Sequence, residues 1–116
     1  MRRRGTELVL RVVRFVVRRG VEAGFAEYMR KLAENSIGTI DGLEQLELVR
    51  SVREEGVVVL GMSLWRDWEA LEAFYADKLD EPLLFDPYRE WVESASIEHF
   101  EHVLTSRRNH RAAQIG

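Results

Sequence analysis

Trp65 ends an apolar run in which the residues two and four places before it are Ser63 and Gly61. In an extended strand all three side chains share one face. A large ring beside two small residues leaves a hollow, floored by backbone and walled by indole. A hollow of that kind holds a flat apolar molecule or is filled from a facing helix. Phe25 and Trp68 are the rings best placed to reach it. Trp68 lies on the apolar stripe of the segment after Trp65 and reads as packing. Tyr28, Tyr75 and Tyr88 supply the phenols, each with an apolar body and a polar tip suited to a pocket or a core edge. Trp91 and Phe85 flank a segment able to close over the hollow as a lid.

Other chemistry is poorly supplied. His99 and His102 stand three apart, so on a strand they point to opposite faces. Glu101 shares a face with His99, and Glu98 with His102. One histidine and one carboxylate per face make a poor metal set, so no metal is expected. Either histidine could serve as a general base beside a hollow; His110 sits in a polar tail. The chain has no cysteine, which excludes disulfides, thiolate metal sites and cysteine nucleophiles. It has no glycine-rich phosphate loop and no GxSxG. Its basic residues are not interleaved with aromatics, so nucleic acid is not an expected partner.

The elements that position these residues follow from periodicity. Leu8 to Val17 is rich in β-branched residues and reads as a first strand, apolar on both faces. Val21, Phe25, Tyr28, Met29 and Leu32 fall at helical spacing, predicting a helix over 21–35. Gly38 and Asp41-Gly42 mark the loop after it. Strands follow over 43–53 and 57–65, joined by a short hairpin turn at Glu54 to Gly56. Asp67 is a plausible N-cap for a second helix over 67–79. Pro82 ends that helix, and Asp86-Pro87 resembles the start of a third, short one. Ser96 to Thr105 reads as the last strand.

The order is β-α-β-β-α-(α)-β, the α+β ferredoxin-like split βαβ with a four-stranded antiparallel sheet. In the strand over 57–65 neither face is charged. Helices cover one face, and the other wants a second sheet, so a homodimer through stacked sheet faces is expected. Each thousand Å² of apolar area so covered represents about 25 kcal/mol before association costs.

Composition sets the outer bounds. The 116 residues suit one domain, with a basic tail over 1–7 and a polar tail over 106–116 expected to be flexible. Hydrophobic residues make up 46%, enough for a core, and the net charge of −3 gives no overall drive toward nucleic acid or an anionic membrane. Arginine accounts for 15 of the 17 basic residues. The three arginines near the N-terminus precede an apolar run, but Arg11 and Arg14 interrupt it. That pattern predicts neither a signal segment nor a membrane span. A cytoplasmic location is the expectation.

The strand ending in Trp65, the "EALEAF" that follows within a few residues, and the Asp41-Gly42 before the second strand together resemble the antibiotic biosynthesis monooxygenase family. The resemblance runs from about Arg11 to Val103. It implies a dimeric α+β barrel whose pocket lies between sheet and helices. In the family's cofactor-free oxygenases a tryptophan at this strand end lines the pocket, with an asparagine four residues earlier, a tyrosine and an arginine. Trp65 matches the tryptophan, and Gly61 stands at the asparagine position. Tyr75 or Tyr88 would supply the phenol and Arg89 the guanidinium. The resemblance therefore implies Trp65, Tyr75 and Arg89 as catalytic residues. Gly61, Ser63, Phe25, Tyr28, Tyr88 and Trp91 would line the pocket. The heme-degrading branch needs an asparagine in the first strand and a histidine in the second helix, and this chain has neither. Two functions follow as expectations: cofactor-independent oxygenation of a small aromatic or quinone-type molecule, or non-catalytic binding of a small apolar ligand.

Overall fold

The computed structural model describes residues 7–54, 56–82 and 88–108, apart from the side chains of Glu22 and Tyr88. β1 (Val9–Val17) is followed by α1 (Glu22–Ser36), β2 (Leu43–Arg53), β3 (Gly56–Trp65), α2 (Trp68–Tyr75) and β4 (Val92–Glu101). Short 3-10 turns occupy Ala76–Lys78 and Tyr88–Trp91. The strands lie in the order β2-β3-β1-β4, with every neighbouring pair antiparallel. This is the ferredoxin-like α+β arrangement expected from the element order.

Three boundaries differ from expectation. β4 begins at Val92 and ends at Glu101, because β1 uses its whole length for pairing, from Val9 opposite Glu101 to Val17 opposite Val92. Past it the chain leaves the sheet, and Val103 and Leu104 stand 93% and 79% exposed. α2 stops at Tyr75 rather than Leu79, since Ala76 takes a positive φ of 52° that no α-helix accommodates. The short third helix is a 3-10 turn. Its expected start at Asp86-Pro87, with Phe85, lies outside the described residues, as do the basic tail through Thr6 and the chain from Asn109 onward.

The alternation in β3 sorts the sheet. Val57, Val59, Ser63 and Trp65 are buried beneath the helices. There the core divides in two. Val9, Leu43, Trp65, Trp68, Ala70 and Leu71 form a cluster under α2. Phe15, Val17, Phe25, Val57 and Val59 form another, with Phe25 supplied by α1. On the opposite face Val12, Val58, Leu60 and Phe100 border a shallow hollow with no helix of the described residues above it.

The joint that carries Trp65 into α2 is locked against the loop before β2. Arg66 N–H donates to the Gly42 carbonyl at 2.8 Å, and its guanidinium pairs with Asp41 at 3.3 Å. The Asp67 carboxylate caps α2 by accepting from Ala70 N–H at 2.8 Å, as expected of an N-cap. Gly42 has φ +85°, and a Cβ there would stand 2.3 Å from the Ala70 Cβ. Gly42→Ala is expected to cost about 2–4 kcal/mol, from left-handed strain and overpacking together. Gly38→Ala, with φ +87° but open space around it, is expected to cost about 1–2 kcal/mol. Urea denaturation of the two variants measures the difference.

Candidate active site

Between the two core clusters the sheet is left uncovered. The gap is a cleft of about 650 Å³. Ala26, Met29 and Ala33 of α1 form one side, Leu46 and Leu48 of β2 another, and Phe74 and Tyr75 of α2 the far end. Gly61 and Ser63 lie on its floor, with Arg11 and Val13 of β1 beside them. The reason for the gap is local. A Cβ at Gly61 would meet Met29, Phe15 and Leu48 side-chain atoms at 3.7–4.0 Å, ordinary contact distances. Packing therefore does not demand a glycine at this position, and its effect is to leave room.

Trp65 is 1% exposed and walls the cleft beneath α2. Its indole N–H donates to Ser63 Oγ at 2.9 Å. Its ring lies 5.5 Å from Phe74 and 5.8 Å edge-on from Tyr75, centroid to centroid. With its only donor bound to Ser63, Trp65 backs the cleft with an apolar ring, and Phe74, 43% exposed, stands in front of it. Tyr75 offers the polar group. Burial pushes its phenol above the usual tyrosine range, opposed by the neighbouring Arg11 charge. At neutral pH it is a protonated donor.

Arg11 is the buried charge of the site. It shares the helix-side face of β1 with Val9, Val13, Phe15 and Val17, and it is 1% exposed. Nη1 donates to the Leu79 carbonyl and lies 3.1 Å from His99 Nε2. Nη2 donates to the Glu81 carbonyl at 3.1 Å. The Tyr75 ring covers the guanidinium, with 3.8 Å from Cζ to the ring centroid. Nε is shielded from solvent and has no acceptor among the described residues. Burial draws the guanidinium below its ordinary value, and Tyr75 and Asp80 oppose that shift. Nothing in the sequence reading singled out Arg11 beyond its interruption of an apolar run. The available clue was parity: it is the one charge on the inward face of β1.

Of the residues expected at the site, Gly61, Ser63, Trp65 and Tyr75 line the cleft together. Phe25 does not; it is fully buried, edge-to-face on Phe15 at 5.3 Å, and fills the core beneath α1. Tyr28 lies beside it, 6.4 Å away, outside the cleft lining. Trp91 packs over Gly24, where a Cβ would approach the indole to 3.1 Å, so it covers the other end of α1. Arg89 stands exposed on the 3-10 turn beside Trp91, away from the cleft lining. The side chain of Tyr88 lies outside the described residues. Trp68 packs in the core and donates to Glu101 at 2.8 Å, with His99 5.7 Å away, ring to ring. His102 turns instead to Thr105. Among the described residues no three histidine or carboxylate side chains gather as a metal site, and no helix is long and apolar enough to cross a membrane.

The model of the antibiotic biosynthesis monooxygenase family matches residues 8–78. No curated protein sequence gives a significant match. Solved structures of like fold include the heme-degrading protein of Mycobacterium tuberculosis, 19% identical, covering 90% of this chain and 100% of its own with a TM-score of 0.64. A proposed antibiotic biosynthesis monooxygenase of Nitrosomonas europaea is 15% identical over 87% of this chain and 95% of its own, with a TM-score of 0.65. Another from Caulobacter crescentus is 20% identical over 85% and 92%, with a TM-score of 0.62. At these identities the likeness is one of fold.

The Trp65–Ser63 bond yields a direct check on the wall of the cleft. Ser63→Ala strands a buried indole N–H and is expected to cost about 1–3 kcal/mol. Chemical denaturation followed by tryptophan fluorescence measures it.

Proposed function

This chain belongs to the antibiotic biosynthesis monooxygenase family, and from that membership and the open cleft we propose that it oxygenates a small aromatic or quinone-type molecule without a cofactor. The observation that carries the reading is an apolar slot between helices and sheet, walled by Trp65 and ended by the Tyr75 phenol. An electron-rich phenolic substrate enters as its enolate, its proton left to bulk water, and carries carbanion character on a ring carbon that still bears hydrogen. That carbon gives an electron pair to dioxygen, the oxidant, forming a C–O bond and a peroxide, and loss of the remaining C–H proton with cleavage of the O–O bond leaves a carbonyl on the ring and releases hydroxide. The protein's part is to hold the ring in the slot against the Phe74–Trp65 wall and exclude water. Tyr75 O–H hydrogen-bonds the substrate oxygen on which negative charge gathers.

A second reading has one observation in its favour. Gly61 stands where the family's cofactor-free oxygenases are expected to place an asparagine, so the same slot would bind an apolar ligand and do no chemistry. The heme reading draws less support, since α2, "WEALEAFY", contains no histidine. In both favoured readings the helix-free sheet face, with Val12, Val58, Leu60 and Phe100, meets a second copy of the chain. A monomeric mass by light scattering at micromolar concentration contradicts that assembly.

Oxygen uptake with a panel of anthrones and hydroquinones separates the readings. The oxygenase reading expects uptake with at least one of them, and a fall in kcat/KM of about a hundredfold in Tyr75→Phe. Absence of uptake across the panel, with the same ligands still binding, leaves the non-catalytic reading. A heme titration without a Soret shift closes the heme branch.

A further inference from the structure

The proposed chemistry leaves Arg11 unused, although it is the one guanidinium buried beside the cleft floor. Among the described residues its charge balance is incomplete. Two carbonyls, one histidine ring nitrogen and one aromatic face surround it. Carbonyl dipoles and a ring quadrupole satisfy donors without supplying a countercharge. Among the described residues the one carboxylate felt at Arg11 is that of Asp80, and it forms no ion pair with the guanidinium. Burying a cation without a counterion is costly, and the cost falls when an anion joins it. Nε is the one guanidinium nitrogen with no acceptor among the described residues, on a side chain that lines the cleft.

The substrate side points the same way. Among the described residues the only carboxylate lining the cleft is Glu47, which is exposed, and no histidine lines it. A cleft without an interior base suits a ligand that arrives already ionised.

We propose that Arg11 sets the specificity of the cleft by receiving a ring-bound oxyanion at its Nε–H, so that the cleft selects aromatic anions over their neutral isosteres. The inference rests on the reading that the cleft takes an aromatic ligand. The anion enters along the apolar wall, displaces the Tyr75 ring from over the guanidinium, and makes the charge-assisted hydrogen bond that Nε lacks. The ligand class is a fused aromatic bearing a carboxylate or an acidic enol.

Two matched pairs of probes test this by titration calorimetry at neutral pH. They are 2-naphthoate against 2-naphthamide, and 2-hydroxy-1,4-naphthoquinone, ionised at neutral pH, against its 2-methoxy ether. Wild-type protein is expected to bind at least one anion about tenfold or more tightly than its neutral partner. The preferred pair tells carboxylate from enolate. The preference is expected to vanish in Arg11→Gln and to shrink in Arg11→Lys, which keeps the charge and loses Nε. Equal binding of anion and neutral partner in both wild-type pairs overturns the role of Arg11 and leaves the aromatic cleft standing. Failure of all four probes to bind overturns both. An undiminished preference in folded Arg11→Gln also overturns the role. If neither variant folds, the wild-type pairs decide alone.

Discussion

A guanidinium held inside a sheet dictates what surrounds it. Arg11 sits on the inward face of β1, where desolvation would be costly if its donors were idle. The chain answers by bringing the Leu79 and Glu81 carbonyls onto Nη1 and Nη2. Those carbonyls come from the stretch just after α2. Meeting Arg11 coincides with the early end of α2 at Tyr75 and the positive φ at Ala76. Tyr75 is thereby laid over the guanidinium, and its edge meets Trp65. One buried charge thus meets the turn that ends a helix, the ring of a phenol and, through that ring, one wall of the cleft.

The cleft itself arises from a division of labour between the helices. Each helix carries its own cluster of core residues down to the sheet. Between the clusters β3 presents Gly61 and Ser63, too small to fill the space. Ser63 has a second use, because it takes the indole N–H of Trp65. The wall therefore shows the cleft an apolar surface, while Tyr75 and Arg11 supply the polar groups at one end. Such an arrangement, mostly apolar with a few convergent polar groups, is what a small-molecule site needs.

Much of this was legible in the chain. β-Branched runs and helical spacing locate the strands and helices, and the alternation in β3 sorts Val57, Val59, Gly61, Ser63 and Trp65 onto the helix side. Asp67 was readable as a cap because its geometry is local. The misses were non-local. The turn that ends α2 is met by an arginine more than sixty residues away in sequence, and the limits of β4 depend on how far β1 extends to pair with it. Phe25 has the spacing of a cleft residue and also of a core residue, and only its contact with Phe15 decides between them. Arg11 is masked in the sequence because a lone charge in a strand has the look of a solvated edge; only its parity with Val9, Val13 and Phe15 puts it on the inward face.

On this reading a flat aromatic anion lies in the cleft against the wall that Phe74 and Trp65 form. The most direct measurement is the ¹⁵N-resolved NMR signals of the three indole N–H groups during titration with 2-hydroxy-1,4-naphthoquinone. Trp65 walls the cleft, whereas Trp68 is bonded to Glu101 and Trp91 packs over Gly24. The expected result is a saturable shift of the Trp65 signal while those of Trp68 and Trp91 hold still. A Trp65 signal that does not move at any ligand concentration, or that moves no more than the other two, contradicts it.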